Sequence, residues 1–311
     1  MDNYHFSTVV SQDHLYKFIA MYTSLEAHCT GYQIYVLCAS RVVYDILTAI
    51  RFPHVVPVDL KRIEDDELLY AKRERIFHAY CWTLKPVFLH YVMTQYPDAR
   101  FFAHLDADLF FFNTPDLLFS EKPDASLYLT HHRNSPSFWK FYYVTGVYNT
   151  GFVGCRGDAA GLAAVSRWRG QCVEYCPIQE DPMRRAFGDQ RYVEDWPELY
   201  PGRVHVIESL GANAALWNIT EYTVSDRGGT LFLNEDPLIF YHFSGLTAVD
   251  ANEYNLCWYY HIDSDDIVDR IYLPYVRLLK KTVEELGVYY PDFHEGFTRR
   301  ELIPATHFIR I

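Results

Sequence analysis

In the first sixty residues, segments with the apolar periodicity of β-strands alternate with segments that have the apolar periodicity of α-helices. Residues 6–10 are a short β-prone run, and residues 15–28 carry apolar side chains at helical spacing. Residues 32–38 then predict a strand, residues 42–50 a helix and residues 55–60 a third strand. Strands that alternate with helices predict an α/β fold with a doubly wound, mostly parallel sheet.

The same pattern leads to a strand that ends in acidic residues. Residues 64–96 predict mostly helix, which Pro86 should break or restart because proline lacks the backbone N–H. Residues 100–105 predict a strand that runs into Asp106. Ligands of open α/β sheets bind beyond the carboxyl ends of the strands, so this is a favourable place for functional side chains.

The remainder of the chain is less regular but contains further elements. Strands are predicted at residues 126–130, 151–155, 203–207 and 238–242, and helices at residues 159–172, 191–193 and 265–286. No internal repeat or low-complexity linker separates them. We predict one domain over residues 1–250, with residues 251–311 as a C-terminal helical extension packed on it.

Composition narrows the function classes. Half of the 311 residues are hydrophobic and 17% are aromatic, which excludes a disordered chain. The formal net charge of -12 argues against a nucleic-acid partner, because affinity for phosphate backbones depends on clustered Lys and Arg. An anionic ligand would need local positive charge, which a bound cation can supply.

The cysteines and the N-terminal residues bear on the compartment. The seven Cys are scattered and odd in number, so we predict reduced, partly buried thiols. Cys172 and Cys176 have no second Cys/His pair at zinc-finger spacing. No signal peptide and no run of membrane-spanning length is visible. These features predict a cytoplasmic protein without a transmembrane segment. They leave peripheral membrane association and the oligomeric state open.

Two carboxylates interrupt a hydrophobic run at Asp106 and Asp108, between residues 101–105 and residues 109–112. Burying unpaired carboxylates is costly, so they require a partner. Mn²⁺ or Mg²⁺ typically takes one or two carboxylates together with substrate phosphates. We therefore predict that Asp106 and Asp108 bind a divalent cation.

Here the sequence resembles the GT-A nucleotide-diphospho-sugar glycosyltransferases. Their Asp-x-Asp motif follows such a strand and precedes a run like Phe112-Asn113-Thr114-Pro115. The resemblance extends from the first strand to about Gly245 and is strongest to the retaining, glycogenin-like branch. It implies a GT-A fold, in which both Asp residues serve a Mn²⁺ or Mg²⁺ ion and a nucleotide-sugar donor, with UDP favoured.

Two further motifs match that branch. Asn149, Thr150 and Gly151 resemble its Asn-Ser/Thr-Gly strand, in which the Asn side chain and nearby backbone face the donor sugar. Asp189 and Gln190 resemble its Asp-Gln segment beside the transferred sugar, so the resemblance implies catalytic roles for Asn149, Asp189 and Gln190. Each has a structural alternative, because Asn and Gly favour turns and Asp189 could be a helix N-cap.

The end of the last predicted core strand resembles the His-x-x-Gly element of the family. The resemblance implies that His242 is the third protein ligand of the metal and that Gly245 gives the diphosphate a backbone contact. The alternative for His242 is a hydrogen-bonded core residue. The Lys that often follows this Gly in the family is missing from residues 246–250. The negative charge of the phosphates must therefore be balanced by the metal, by Lys85 or by another cation.

Four other residues are weaker candidates. Val10 ends the first strand and Gln12 follows it, where the fold holds base and ribose, although the segment after the strand could also be a helix cap. Asn213 and Trp217 suit a pocket that binds hydroxyls and stacks rings, although a buried Trp would explain the latter more simply.

The sequence therefore predicts a metal-dependent glycosyltransferase that moves a sugar from a nucleotide-diphosphate donor to an acceptor hydroxyl, with retention. The acceptor is a glycan, a lipid-linked sugar or a protein. One alternative is a sugar-nucleotidyltransferase, although the Gly-rich loop with Arg and Lys that such enzymes usually carry is absent after the first strand. Another is a non-catalytic carbohydrate- or nucleotide-binding protein on the same scaffold.

Overall fold

The computed structural model describes residues 3–291 and 293–311, so residues 1, 2 and 292, which fall within the predicted domain bounds, lie outside the described part. The strands, in chain order, are β1 Tyr4–Val10, β2 Tyr32–Cys38, β3 Val55–Asp59, β4 Phe101–Leu105, β5 Leu109–Phe111, β6 Leu127–His131, β7 Tyr148–Arg156, β8 Val204–Val206, β9 Ala214–Ala215, β10 Val224–Arg227, β11 Thr230–Leu233, β12 Asp236–Pro237, β13 Phe240–His242, β14 Thr247–Ala248, β15 Glu253–Asn255 and β16 Phe308–Arg310.

The α-helices, in the same order, are α1 Leu15–His28, α2 Arg41–Ile50, α3 Asp66–Glu74, α4 Phe77–Gln95, α5 Asp116–Ser120, α6 Tyr142–Thr145, α7 Ala159–Glu174, α8 Trp196–Leu199, α9 Asp265–Ile267 and α10 Leu273–Leu286. A π-helical turn, Val268–Tyr272, joins α9 to α10. No helix within the described ranges has the length and apolar character needed to cross a membrane.

The chain divides into two compact units. Unit 1 comprises residues 1–11, 30–106 and 116–208, and unit 2 comprises residues 12–29, 107–115 and 209–311. The predicted boundary at residue 250 stays a prediction.

Unit 1 is built on a seven-stranded sheet with the order β3-β2-β1-β4-β7-β6-β8. Strands β3, β2, β1 and β4 are parallel, whereas β7 is antiparallel to both β4 and β6. The pairing of β1 with β4 brings Ser7 opposite His104. This mixed, mostly parallel sheet with flanking helices confirms the predicted α/β fold class.

The core of unit 1 lies where α4 and α7 pack on this sheet. Leu84 and Phe88 of α4, Trp168 of α7 and Phe102 of β4 are all buried in one hydrophobic cluster. The prediction that Pro86 breaks the helix is wrong, because α4 continues through it. The buried side chains around Pro86 hold the backbone helical despite the missing N–H, and the actual break falls between α3 and α4.

Unit 2 contains helices α1 and α10 and three small sheets, with the orders β10-β11-β12, β5-β13-β9 and β14-β15-β16. In the second of these, β13 runs antiparallel to β5 and pairs His242 with Leu109. The rings of Phe243 and Tyr275 stack with centroids 3.9 Å apart, which joins this small sheet to α10.

Most elements predicted from the pattern are confirmed within a residue or two, and α1 and β2 have the predicted bounds. The helix predicted at residues 265–286 is present as α9, the π-helical turn and α10. The hairpin strands β10, β11 and β12 were not predicted. They are short and only partly buried, so their apolar pattern is weak.

Candidate active site

Asp106 follows β4 directly and lies among donors of unit 1. Its backbone N–H donates to the carbonyl of Gly151 at 2.8 Å, which fixes the residue against β7. The ammonium of Lys85, on α4, lies 2.7 Å from Oδ1 and 2.9 Å from Oδ2 of the Asp106 carboxylate. Lys85 is only 8% exposed, so this is a largely buried ion pair rather than a solvated surface contact.

Asp189 also lies near Lys85 and is 3% exposed. Its Oδ1 is 4.0 Å from the Lys85 ammonium, and its Oδ2 accepts a 2.7 Å hydrogen bond from the Thr150 hydroxyl. Burial raises the pKa of the Asp189 carboxyl, while Lys85 acts in the opposite direction. Asp189 stands at the N-cap position of the 3₁₀ turn Gln190–Val193, but its side chain makes no capping hydrogen bond there and accepts from Thr150 instead.

Asn149 and Gln190 form a hydrogen-bonded pair beside Asp189. The Asn149 amide donates to Gln190 Oε1 at 3.1 Å, and Asn149 Oδ1 accepts from the Gly151 backbone N–H at 3.0 Å. The Gln190 amide nitrogen donates to the Thr145 carbonyl at 2.6 Å. The structure thus brings the three predicted catalytic residues Asn149, Asp189 and Gln190 into one buried network with Gly151. Their roles in a reaction stay predictions.

In unit 2, His242 and Asp108 form a second close pair. The antiparallel pairing of β13 with β5 sets their backbones side by side, and His242 Nε2 lies 3.1 Å from Asp108 Oδ1. The Trp217 ring packs edge-on against the His242 ring at 5.4 Å. Gly245 follows with a φ of 82°, a backbone conformation that favours glycine, and a Cβ there would lie 2.7 Å from the Leu216 side chain.

The Asp106-Ala107-Asp108 segment links these two pairs. One ligand atom each from Asp106, Asp108 and His242 lies within 4.8 Å of the others. Two carboxylate oxygens and one imidazole nitrogen are a donor set that suits Mn²⁺ and is compatible with Mg²⁺. His242 is buried, so water competes little for its ring. The chemistry of these three residues therefore fits a divalent cation.

The other predicted ligand-binding residues lie in varied surroundings. Val10 is buried, and its carbonyl accepts from the Ala39 N–H at 2.9 Å. The Gln12 amide nitrogen donates to the Tyr290 hydroxyl at 2.6 Å and to Glu295 at 2.9 Å, so the C-terminal segment orients it. Asn213 is fully buried with a left-handed φ of 60°. Their proposed contacts with a nucleotide-sugar stay predictions.

His104 was missed as a candidate. It is fully buried, and its Nε2 lies 3.0 Å from Asp106 Oδ1. Burial lowers the pKa of the ring, while the hydrogen bond to Asp106 opposes that shift. The signal was in the strand period, since side chains two residues apart share a face and His104 therefore accompanies Asp106.

Comparison with known structures agrees with this fold. The galactosyltransferase LgtC, solved with donor and acceptor sugar analogs, superposes with a TM-score of 0.54 and 14% identity, covering 89% of this chain and 95% of LgtC. Mouse xyloside xylosyltransferase 1 superposes with a TM-score of 0.51 and 16% identity, covering 78% of this chain and 97% of that one. The chain thus has the fold of the GT-A glycosyltransferases.

Sequence comparison gives the family. No family model matches the chain. The uncharacterized protein YfnD of Bacillus subtilis (strain 168) is 49% identical over 311 residues, covering all of both chains. YfnF of the same organism is 31% identical over 303 residues, covering 95% of this chain and 98% of that one. The chain belongs to the family of YfnD and YfnF.

Proposed function

We propose that this protein transfers a sugar from a nucleotide-diphosphate donor, with UDP as the favoured nucleotide, to an acceptor hydroxyl with retention of configuration. The observation that carries the proposal is the group formed by Asp106 and Asp108, which follow β4, and His242, which ends β13. In open α/β sheets, ligands bind beyond the carboxyl ends of the strands, where Asp106 and Asp108 lie. A place in the retaining, glycogenin-like branch is part of the proposal and rests on the motifs.

Asp106, Asp108 and His242 would hold the divalent cation. When bound, such a cation stabilises the negative charge that develops on a departing diphosphate. The Lys85 ammonium carries the second local positive charge, 2.7 Å from Asp106. Because residues 246–250 lack the family's phosphate-binding Lys, we assign that role to Lys85.

Asp189 is the proposed contact for hydroxyls of the transferred sugar. Its Oδ2 is held by Thr150 and its Oδ1 lies near Lys85, so the carboxyl is fixed before any ligand arrives. A carboxyl that is pre-positioned in a buried network orients a hydroxyl at low entropic cost. Gln190 and Asn149 are proposed to line the same surface, since Asn149 fixes the Gln190 carbonyl.

Nucleoside diphosphate release tests the proposal. The purified chain is mixed with Mn²⁺ and a panel of UDP-, CDP-, GDP- and dTDP-sugars, with and without simple glycoside, lipid-linked and peptide acceptors. We expect Mn²⁺-dependent release with at least one donor, and NMR of the product should show retained anomeric configuration. Absence of release from every donor contradicts the transferase and favours a binding protein, whereas an inverted linkage contradicts only the stereochemistry.

A matched pair of variants tests the site. Asp108→Asn removes one proposed ligand, and we expect it to lower release by about 100-fold or more, since loss of a mere supporting partner costs about 10–100-fold. Asp124→Asn is the control, because that side chain is 94% exposed and lies 3.6 Å from Arg156 at the surface. Full Mn²⁺-dependent release by Asp108→Asn would refute the metal assignment.

A further inference from the structure

His104 is a titratable side chain in contact with Asp106 to which the proposed function gives no role. It lies on β4, is fully buried, and its Nε2 is 3.0 Å from Asp106 Oδ1. Its strand neighbours Ala103 and Leu105 are apolar, as this core strand requires. A buried imidazole costs free energy unless it is hydrogen-bonded, so an apolar residue would serve packing alone better.

The surroundings of His104 fix which nitrogen carries the proton. Asp106 offers only acceptors when ionised, so Nε2 must be the N–H that donates to Oδ1. His104 Nδ1 is buried and has no hydrogen-bond partner in the described part of the chain, and neither has the Oγ of Ser7, its register partner on β1.

The hydrogen bond from His104 reaches one of the two Asp106 oxygens, whereas Lys85 contacts both. Oδ1 receives the His104 N–H at 3.0 Å and lies 2.7 Å from the Lys85 ammonium, whereas Oδ2 has Lys85 at 2.9 Å. We propose that His104 is a positioning residue that holds the Asp106 carboxylate through Nε2–H···Oδ1 in the orientation in which it would bind the divalent cation. The inference rests on the proposed function, because it assumes that Asp106 is a metal ligand.

Three substitutions separate positioning from packing. His104→Gln can place an amide N–H where Nε2 lies, His104→Asn reaches only the Nδ1 position, and His104→Phe fills the space without a donor. Mn²⁺ affinity is measured with the metal alone by electron paramagnetic resonance, alongside the thermal midpoint of each variant. Loss of a residue that orients a metal ligand weakens metal affinity by about 10–100-fold.

We expect His104→Phe and His104→Asn to bind Mn²⁺ about 10–100-fold more weakly than the unmodified chain, and His104→Gln to recover most of that loss. With a donor that turns over, the same order should appear in the apparent Mn²⁺ requirement. Equal Mn²⁺ affinity in His104→Phe and the unmodified chain would overturn the proposal. The proposal would also be overturned if Mn²⁺ affinity fell in parallel with the thermal midpoint in all three variants and His104→Gln recovered none of it.

A second measurement keeps this outcome distinct from failure of the proposed function. Nitrogen-15 NMR of the metal-free, unmodified chain should show His104 protonated at Nε2 and bare at Nδ1. The opposite tautomer overturns the positioning role even if the enzyme is active. If the unmodified chain binds no Mn²⁺ and releases no nucleotide, the proposed function fails, and the metal role of His104 fails with it.

Discussion

Replacing Lys85 with Met removes a cation that contacts Asp106 and lies near Asp189. The ammonium is 2.7 Å from Asp106 and 4.0 Å from Asp189, and Lys85 is 8% exposed. Removing one partner of a buried ion pair costs about 3–5 kcal/mol, because the remaining charge is left uncompensated. Since a fifth of the Asp106 side chain remains open to solvent, we expect the lower end, about 3 kcal/mol near neutral pH.

The loss in Lys85→Met should depend on pH with a definite sign. Burial already raises the pKa of Asp189, and Lys85 is the largest influence that lowers it, so the variant should raise it further. A carboxyl with a raised folded-state pKa contributes stability that is fully present below its unfolded pKa, about 4, and is lost as the pH rises through the folded value. The deficit should therefore be larger at about pH 7 than at about pH 4.5.

Denaturant unfolding of the unmodified chain, Lys85→Met and Lys85→Arg at these two pH values is the assay. Lys85→Arg keeps the positive charge and should recover much of the stability. Addition of Mn²⁺ should also restore part of the loss in Lys85→Met, because a ligand that binds only the folded state stabilises it. Equal stability of Lys85→Met and the unmodified chain at about pH 7, or a deficit that does not change with pH, would refute this reasoning.

Two further predictions concern other parts of the chain. Gly211→Ala should lower the thermal midpoint, because its Cβ would lie 1.8 Å from the Pro237 carbonyl oxygen, whereas Gly170→Ala in α7 has open space and should gain about 0.5–1 kcal/mol. Equal midpoints would contradict both. Burial and the stacked His261 ring lower the pKa of His307 despite nearby Asp263, so stability should fall below about pH 6.5. His307→Asn can still accept the hydrogen bond from the Ile262 N–H, and stability should then fall less steeply with decreasing pH in acid unfolding curves. An unchanged dependence of stability on pH in this variant would contradict the prediction.

Regular elements of this fold follow from local pattern. Helix α1 and strand β2 have the bounds that the sequence predicts, because a periodic apolar face and flanking polar residues are local properties. Helix α4 shows where local reasoning fails. Pro86 lowers helix propensity, but side chains buried against the sheet and α7 outweigh it.

For the candidate site, too, some features follow from the sequence and others only from the tertiary structure. The sequence by itself determined that Asp106 and Asp108 follow a hydrophobic strand and that His242 ends another, since each sits in a run whose period is readable. Tertiary structure alone decided that Thr150 holds Asp189 across 39 positions, that Lys85 reaches Asp106, and that Gln12 bonds Tyr290. The physical reason is that a residue's period and burial are local, whereas its hydrogen-bond and charge partners depend on which distant segments the fold brings within about 3 Å.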